Sequence, residues 1–162
     1  MKNLLKSIYE KPRLYGAMLV TCKAIVLLFG IGFLFLCHGA YCKEPISLLK
    51  VGLICLLPFI IVTVIRRIIN APRPYEIYDF YEKRPKDKSG RSFPSRHLYS
   101  ASVISSLCFF IYPVLGAALS LLAILLALIR VLVGIHFIRD VCAGALIGVS
   151  SALLGVLILA PF

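Results

Sequence analysis

Residues 46–69 read ISLLKVGLICLLPFIIVTVIRRII, a long apolar run that ends in two adjacent arginines. A helix needs roughly 20 mostly apolar residues to cross the hydrocarbon core of a bilayer, and this run is long enough. Of the 162 residues, 60% are hydrophobic and the mean hydropathy is +0.96, whereas a soluble domain is about half apolar. The stretch therefore predicts a membrane-spanning helix in a membrane protein.

Further apolar runs lie on either side of this stretch. Because lipid offers the backbone no hydrogen-bond partners, only helices and closed barrels cross a bilayer, and the runs do not alternate as barrel strands do. We therefore predict an all-α, polytopic transmembrane helical bundle of about five spans, which forms a single membrane-embedded domain over residues 1–162. The predicted spans are residues 14–36, 46–69, 95–112, 114–133 and 137–159.

The segments outside the spans differ in length and polarity. Residues 1–13 are basic and mildly amphipathic, which favours a position on the membrane surface. Residues 37–45 are predicted to form a short loop, and Pro113 a tight turn. Residues 71–94 form a long polar loop whose prolines end the second helix near Asn70 and whose aromatic residues are typical of the headgroup layer. A loop of this length is more often functional than ornamental, so we expect the functional site on its side of the membrane.

The chain carries 18 lysines and arginines against 7 acidic residues, a net charge of +11. These cations crowd into residues 1–13 and 66–96. No soluble domain is predicted that could present them to nucleic acid, so we expect no nucleic-acid partner. Attraction to anionic lipid headgroups, worth about 1 kcal/mol per cation, accounts for most of the lysines. It does not account for arginines that lie next to histidines at the ends of apolar helices.

The six cysteines include no CxxC pair, and most of them lie inside apolar runs, which favours a role as small apolar filler. Cys37, His38 and Cys42 lie close together in the predicted loop 37–45, but their spacing matches no common zinc pattern. We therefore predict no metal site.

Five spans place the N-terminus and the loop 71–94 on the same side of the membrane. The ends of the second and fourth spans and the starts of the third and fifth share that side. The opposite side carries little more than His38, Lys43 and Glu44. The polar residues on the loop's side are Arg66, Arg67, Arg73, Ser95, Arg96, His97, Arg130, His136, Arg139 and Asp140.

The segment 66–74 reads RRIINAPRP. Arg66 is expected in the last helical turn, and Arg73 lies between two prolines that restrict the backbone. The planar guanidinium of a stiffly held arginine can pair with two phosphate oxygens. Taken alone, the segment favours ordinary arginines at the membrane surface.

The segment 93–97 reads FPSRH and enters the third span. Ser95 is placed to cap that helix, so the free amides of the first turn would point toward the loop's side and could bind an anion. His97 lies in that first turn. Taken alone, Ser95 is a helix cap and His97 is an interfacial histidine.

The segment 130–140 reads RVLVGIHFIRD. The i, i+4 spacing of His136 and Asp140 predicts that both lie on one face of a helix. A carboxylate in that place can hold an imidazole in one tautomer and make it more basic, and ionisable residues inside a membrane are functional candidates by default. The alternative is a structural ion pair between Arg130 and Asp140.

Together and in this order, the three segments resemble the motifs of the type 2 phosphatidic acid phosphatase superfamily. The family pattern is Lys-x6-Arg-Pro, then Pro-Ser-Gly-His, then Ser-Arg-x5-His-x3-Asp. The matching stretches here are Arg66-x6-Arg73-Pro74, Pro94-Ser95-Arg96-His97 and Arg130-x5-His136-x3-Asp140. Arg66 replaces a lysine and keeps the charge, whereas Ile129 replaces a serine and removes a hydroxyl. Arg96 replaces the glycine and adds a side chain that reaches either the substrate or the interface.

The resemblance implies a metal-independent phosphatase that needs no cofactor and works through a phosphohistidine. His136 would attack phosphorus while Asp140 orients it, and His97 would protonate the leaving lipid oxygen and then activate water. The groups implied to hold the phosphoryl oxygens are Arg66, Arg73, Arg130, Ser95 and the backbone amide of Arg96. This division of labour fits the chemistry, because phosphoryl transfer asks mainly for positioning and charge stabilisation.

The implied partners are the bilayer and a membrane lipid phosphate. The excess of lysine and arginine on the loop's side places that side in the cytoplasm, although many bacterial relatives face outward. We therefore expect an integral protein of a bacterial cell membrane with a cytoplasmic site. Such a site favours phosphatidylglycerol phosphate or phosphatidic acid as substrate, whereas an outward site favours undecaprenyl diphosphate.

Two other functions stay open at this point. A phosphotransferase could pass the phosphate from the same histidine to a sugar or lipid acceptor. A lipid-binding or transport subunit could use the basic pocket without chemistry. The combination of His97, His136 and Asp140 argues against a pure binding protein, which needs none of the three.

Overall fold

The computed structural model describes residues 2–80 and 89–159, and every regular element within them is a helix. The helices are α1 (Lys2–Tyr9), α2 (Pro12–Lys43), α3 (Pro45–Ile69), α4 (Pro74–Ile77), α5 (Arg96–Ile111), α6 (Pro113–Leu132) and α7 (Ile138–Leu159). Prolines begin α2, α3, α4 and α6, where their fixed φ suits the first helical turn. The prediction of an all-α helical bundle is confirmed.

Each of the five predicted spans coincides with a helix. Among the described residues, four stretches are long and apolar enough to cross a membrane, namely α2, α6, α7 and Pro45–Ile77, which contains α3. The third predicted span corresponds to α5, which has 16 residues. It is about 24 Å long, shorter than the roughly 30 Å hydrocarbon core. Because α5 packs against α2, α3, α6 and α7, helices surround it in place of lipid, and its length need not match the membrane.

The predicted loop at residues 37–45 is wrong. α2 continues through Lys43, and Glu44 alone separates it from α3. Polar residues do not break a helix, whereas proline does because it lacks the N–H that an interior position donates. His38 and Cys42 consequently lie one turn apart on α2, with 3.7 Å between His38 Nε2 and Cys42 Sγ. In the part of the chain that the structure describes, no three histidine, cysteine or acidic side chains form a group that could hold a metal ion.

α1 packs its apolar side against the bundle. Leu5 and Ile8 are buried, and α1 contacts α2 and α6. Lys2 and Lys6 are exposed, and Lys6 lies 3.8 Å from the carboxylate of Glu10. The position of residues 1–13 on the membrane surface stays a prediction, which this division into an apolar and a basic side supports.

Glycines allow α7 to lie directly against the first half of α5. A Cβ at Gly144 would collide with the carbonyl oxygen of Ser95, and a Cβ at Gly148 would lie 2.5 Å from the carbonyl oxygen of Tyr99. The close approach lets the N–H of Ser95 donate to the carbonyl of Asp140 at 2.9 Å. The start of α5 and the start of α7 are therefore held together.

Pro58 lies inside α3 and leaves a carbonyl without its helical donor. Because proline has no N–H, that carbonyl is the one of Ile54, one turn earlier. The hydroxyl of Tyr99 donates to the carbonyl of Cys55 at 2.8 Å and lies 3.4 Å from that of Ile54. This contact joins α3 to α5, and the ring of Phe59 lies 6.2 Å from that of Tyr99.

Candidate active site

Arg66 joins the end of α3 to the segment that leads into α5. It lies in the last turn of α3, as predicted, and is buried. Its Nη1 donates to the carbonyl oxygen of Ser92 at 3.0 Å and also to that of Pro94. Because one guanidinium meets two main-chain carbonyls, Arg66 and the segment 92–94 fix each other's position.

Arg73 is held by a clamp that Glu76 forms between two parts of the loop. One Glu76 oxygen accepts the backbone N–H of Arg73 at 2.8 Å, and the other accepts that of Gly90 at 2.7 Å. Arg73 Nε donates to the carbonyl of Gly90 at 3.1 Å. Gly90 has φ +67, and a Cβ there would lie 2.6 Å from Asn70 Oδ1, so this turn requires glycine. The clamp gives Arg73 a buried, fixed position.

His136 and Asp140 form a buried pair that Ser92 completes. His136 Nδ1 lies 3.6 Å from Asp140 Oδ2 and 3.3 Å from Ser92 Oγ. Ser92 Oγ donates to the same Asp140 oxygen, and the backbone N–H of Phe137 donates to it at 3.0 Å. The predicted shared helical face is wrong, because α7 begins at Ile138 and His136 precedes it. The pair meets because the chain turns into the helix at Phe137.

The arrangement gives the two ring nitrogens of His136 different surroundings. Nδ1 faces the carboxylate and the hydroxyl, which favours a proton on Nδ1 and an unprotonated Nε2 on the other side of the ring. Burial lowers the pKa of His136 below its ordinary value, the neighbouring Asp140 carboxylate opposes this shift, and the charges of Arg130 and Arg73 reinforce it. The lowered pKa favours the neutral imidazole, which is the state that a nucleophile requires.

Arg130 lies in the last turn of α6, and a tight turn connects it to His136. The backbone N–H groups of Ile135 and His136 both donate to the Arg130 carbonyl, at 3.1 and 3.2 Å. Gly134 permits this turn with φ +74, and its carbonyl accepts the N–H of Tyr75 at 3.2 Å. The turn brings a buried cation close enough to the imidazole to influence its protonation.

Two positions that bear a serine in the family motifs are Ser95 and Ile129. Ser95 occupies the position before α5, but its side chain makes no capping hydrogen bond, so the predicted side-chain cap is wrong. Its buried Oγ has no hydrogen-bond partner among residues 2–80 and 89–159. A buried hydroxyl in this state costs about 1–3 kcal/mol, a cost that a bound phosphate oxygen would remove. Ile129, which stands where the family has serine, packs in the apolar core.

His97 and Arg96 lie outside the buried cluster, in the first turn of α5, and both are exposed. They line one part of a groove of about 430 Å³. The rest of the groove is mostly apolar, with Phe29 and Phe33 from α2 and Phe59 from α3 among its walls. The predicted site residues are thus divided into a buried group around His136 and an exposed pair that faces the groove. Ser95, which bonds to Asp140, directly precedes that pair.

Sequence reasoning missed Ser92 and Glu76. Ser92 lies one residue before the segment 93–97, and Glu76 lies two residues after the segment 66–74. A serine and a glutamate in a polar loop carry no spacing signal of their own. Their partners are distant in sequence, so their roles emerge only when the loop and α7 meet.

Comparison with known proteins identifies the class of this chain. A model of the PAP2 superfamily matches residues 47–161. The crystal structure of Aquifex aeolicus LpxE is similar, with a TM-score of 0.67 and 24% identity over 85% of this chain and 84% of that chain. The crystal structure of the first transmembrane PAP2 type phosphatidylglycerolphosphate phosphatase from Bacillus subtilis has a TM-score of 0.41 and 20% identity over 95% of this chain and 90% of that chain. No curated protein matches the sequence.

The described helices form a bundle with a buried histidine, a buried carboxylate and buried arginines at one end. The chain belongs to the PAP2 superfamily, because the family match covers most of its length and includes all three motif segments. It is therefore a phosphoric ester hydrolase of the membrane lipid phosphatase kind. The likeness to LpxE shows a shared fold.

Proposed function

We propose that the chain removes phosphate from a membrane lipid through a phosphohistidine on His136, without a metal ion. The observation that carries this proposal is the orientation of the imidazole. Asp140 and Ser92 occupy the Nδ1 side of the ring, so Nε2 is the nitrogen that meets phosphorus.

The reaction has two balanced steps. In the first, Nε2 of His136 forms a bond to phosphorus, the P–O bond to the lipid breaks, and His97 donates a proton to the departing lipid oxygen. In the second, water adds to phosphorus, the P–N bond breaks, and His97 takes up a proton from that water. The products are the dephosphorylated lipid and inorganic phosphate, and both histidines return to their starting states.

The buried arginines hold the transferred phosphoryl group in this scheme. Carbonyl groups already orient Arg66 and Arg73 before substrate arrives. Charge that is placed in advance needs no reorganisation during the reaction and stabilises the developing negative charge strongly. The remaining proposed contacts are Arg130, the hydroxyl of Ser95 and the backbone amide of Arg96.

The groove beside His97 suits the hydrocarbon chain of the lipid. Its walls are mostly apolar and come from α2, α3, α5 and α6. The bilayer offers a chain an equally apolar surrounding, so the groove contributes orientation more than affinity. A chain in this groove places the departing lipid oxygen on the side of His97, from which the scheme draws its proton.

A larger side chain at Gly30 is expected to select against long lipids. Gly30 lines the groove, and a Cβ there meets no atom within 4 Å, so Gly30→Leu should fill the groove without disturbing the fold. We expect the ratio of kcat/KM for dipalmitoyl to dihexanoyl phosphatidic acid to fall about tenfold, a typical penalty for excess bulk in an apolar pocket. The measurement is phosphate release in mixed micelles.

Gly16→Leu supplies the matched control for this substitution. Gly16 also lies on α2 and has open space for a Cβ, but it is not among the residues that line the groove. An equal change of the ratio in both variants, or an unchanged ratio in Gly30→Leu, would place the lipid chain elsewhere.

The proposed site lies on the cytoplasmic face of a bacterial cell membrane. The side of the membrane that carries the loop 71–94 has more lysines and arginines than the opposite side. Cytoplasmic loops carry such an excess. A site on this face meets phosphatidylglycerol phosphate and phosphatidic acid. A site on the other face meets undecaprenyl diphosphate.

Phosphate release from a panel of these three lipids tests the proposed function. The protein in detergent is expected to release phosphate from at least one of them at the same rate with and without EDTA, because arginines supply the positive charge. A magnesium-dependent phosphatase in the same buffer serves as control and should lose its activity. Loss of activity in EDTA that a divalent cation restores would contradict the metal-free scheme. Transfer to an added acceptor would identify a phosphotransferase, and binding without release a lipid-binding subunit.

A further inference from the structure

Arg96 stands out because it places a cation beside an apolar groove. It is exposed in the first turn of α5 and lines the groove together with its neighbour His97. Its guanidinium carbon lies 5.9 Å from the ring centre of Phe59, which also lines the groove. Within the described part of the chain, this aromatic face is the partner found for Arg96. The side chain is thus directed over the groove and not simply toward water.

The neighbours of Arg96 indicate which part of the substrate it meets. In the proposed reaction, on which this inference rests, His97 protonates the departing oxygen. The groove that Arg96 and His97 share therefore receives the departing group. In the same reaction, the buried arginines bind the phosphoryl group that is transferred. Arg66 and Arg73, which precede Ser95 in the chain, are already held in place by carbonyl groups.

The charge of the departing group then decides what Arg96 can bind. When a lipid monophosphate reacts, the departing group is an alcohol without charge. When a lipid diphosphate reacts, the departing group is a lipid monophosphate, which carries negative charge from the start and gains more as the bridging P–O bond breaks. A guanidinium pairs with phosphate oxygens in bidentate fashion, and the surrounding apolar walls strengthen that attraction.

We propose that Arg96 is a specificity-determining residue that binds the second phosphate of a lipid diphosphate and favours such a lipid over a monophosphate that reaches the site from the same membrane face. The bridging P–O bond breaks as the His136 Nε2–P bond forms, and the proton from His97 goes to the departing lipid monophosphate. Water then completes the reaction as described above, so that inorganic phosphate and lipid monophosphate are the products. Glycine at this position lacks the contact, which makes the Arg96 side chain a selective feature of this chain.

The test uses two substrates that differ only in the second phosphate, farnesyl diphosphate and farnesyl monophosphate. Initial rates of phosphate release in detergent give kcat/KM for each, and their ratio is compared between the wild-type protein and its variants. The variants are Arg96→Gln, Arg96→Gly and Arg96→Lys. Arg67→Gln is the matched control, because Arg67 is an exposed arginine at the end of α3 that does not line the groove.

The diphosphate-to-monophosphate ratio is expected to fall about tenfold in Arg96→Gln and Arg96→Gly, the lower end of what a charged hydrogen bond contributes. Arg96→Lys should keep part of the preference, and Arg67→Gln should change the ratio little. Because Arg96→Gln keeps a long polar side chain, it covers the case in which Arg96→Gly fails to fold.

Three results would overturn the inference. The ratio could stay constant in both Arg96→Gln and Arg96→Gly, or both substrates could lose activity equally, or Arg67→Gln could lower the ratio as much as Arg96→Gln. The last result would point to a general attraction of the more highly charged lipid. Failure of the proposed function has a different signature, because the wild-type protein would then release phosphate from neither substrate.

Discussion

Replacing His136 with alanine is expected to reduce phosphate release by about 10⁴-fold or more, as removal of a nucleophile does in enzymes with a covalent intermediate. The buried arginines cannot take over the attack because they are always protonated, and Asp140 is committed to Ser92 and Phe137. The measurement is single-turnover phosphate release from a labelled lipid phosphate. His136→Ala should retain lipid binding, since the arginines remain.

The control for this substitution is His38→Ala. His38 is exposed at the far end of α2 from the site, so its removal should leave the rate unchanged. Phosphate label on the wild-type protein should be stable in base and labile in acid, as expected for a phosphohistidine, and it should be missing from His136→Ala. Phosphate release that survives in His136→Ala would rule out the mechanism.

Replacing Asp140 with asparagine is expected to lower kcat by about 10²- to 10⁴-fold, the range for removing a carboxylate that orients a histidine. Asparagine has nearly the same volume, so packing against α5 is kept. The amide cannot stabilise the positive charge that the imidazole gains during the attack. Its NH2 group can also donate to Nδ1, which would favour the tautomer with the proton on Nε2 and block the nucleophilic nitrogen.

The pH profile separates this role from a purely structural one. Burial lowers the pKa of His136, while the neighbouring Asp140 carboxylate raises it. Removing the carboxylate therefore lowers the pKa further, and the imidazole stays neutral to more acidic pH. In Asp140→Asn the acid limb of the kcat/KM profile should shift to lower pH although the plateau is much reduced. A reduced plateau with an unmoved acid limb would contradict an electrostatic role.

Ser92→Ala is the matched comparison for Asp140→Asn. Ser92 touches both members of the pair but carries no charge, so its removal should cost only about tenfold, the lower end of what one hydrogen bond to a charged group contributes. An effect of Ser92→Ala as large as that of Asp140→Asn would show that the hydroxyl, and not the carboxylate, holds the imidazole.

The spans and the motif segments could be predicted because they depend on local patterns. Apolar runs locate each long helix, although α2 continues seven residues beyond its predicted span, and α3 ends at Ile69, as the prolines that follow predict. The continuation of α2 through residues 37–43 could not be predicted from polarity. Polar residues can lie in a loop or in a helix, so their presence does not show where a helix ends. Helix ends in membrane proteins depend on where a proline or a tertiary contact interrupts the backbone hydrogen bonds.

Spacing predicts the candidate site residues, but it does not predict how they are arranged. Spacing placed His136 and Asp140 together, and they do meet. It could not show that the meeting occurs through a turn before α7, or that Ser92 joins them from the loop. Arg96 and His97 share one motif with Ser95, yet they face a groove while Ser95 is buried. These features depend on contacts between segments far apart in sequence.

The contact of Gly144 with the carbonyl of Ser95 couples the mechanics of the bundle to its chemistry. Ser95 contacts Gly144 through its carbonyl and donates its N–H to the carbonyl of Asp140. The same residue therefore sets both the spacing of α5 and α7 and the position of Asp140. No compressible side chain lies between the backbones at this point. A thinner bilayer or a harsh detergent that separates α7 from α5 would therefore disturb the reaction centre before any helix unravels. We therefore expect the lateral pressure of the membrane to act on the contact between α5 and α7 and, through it, on the position of Asp140.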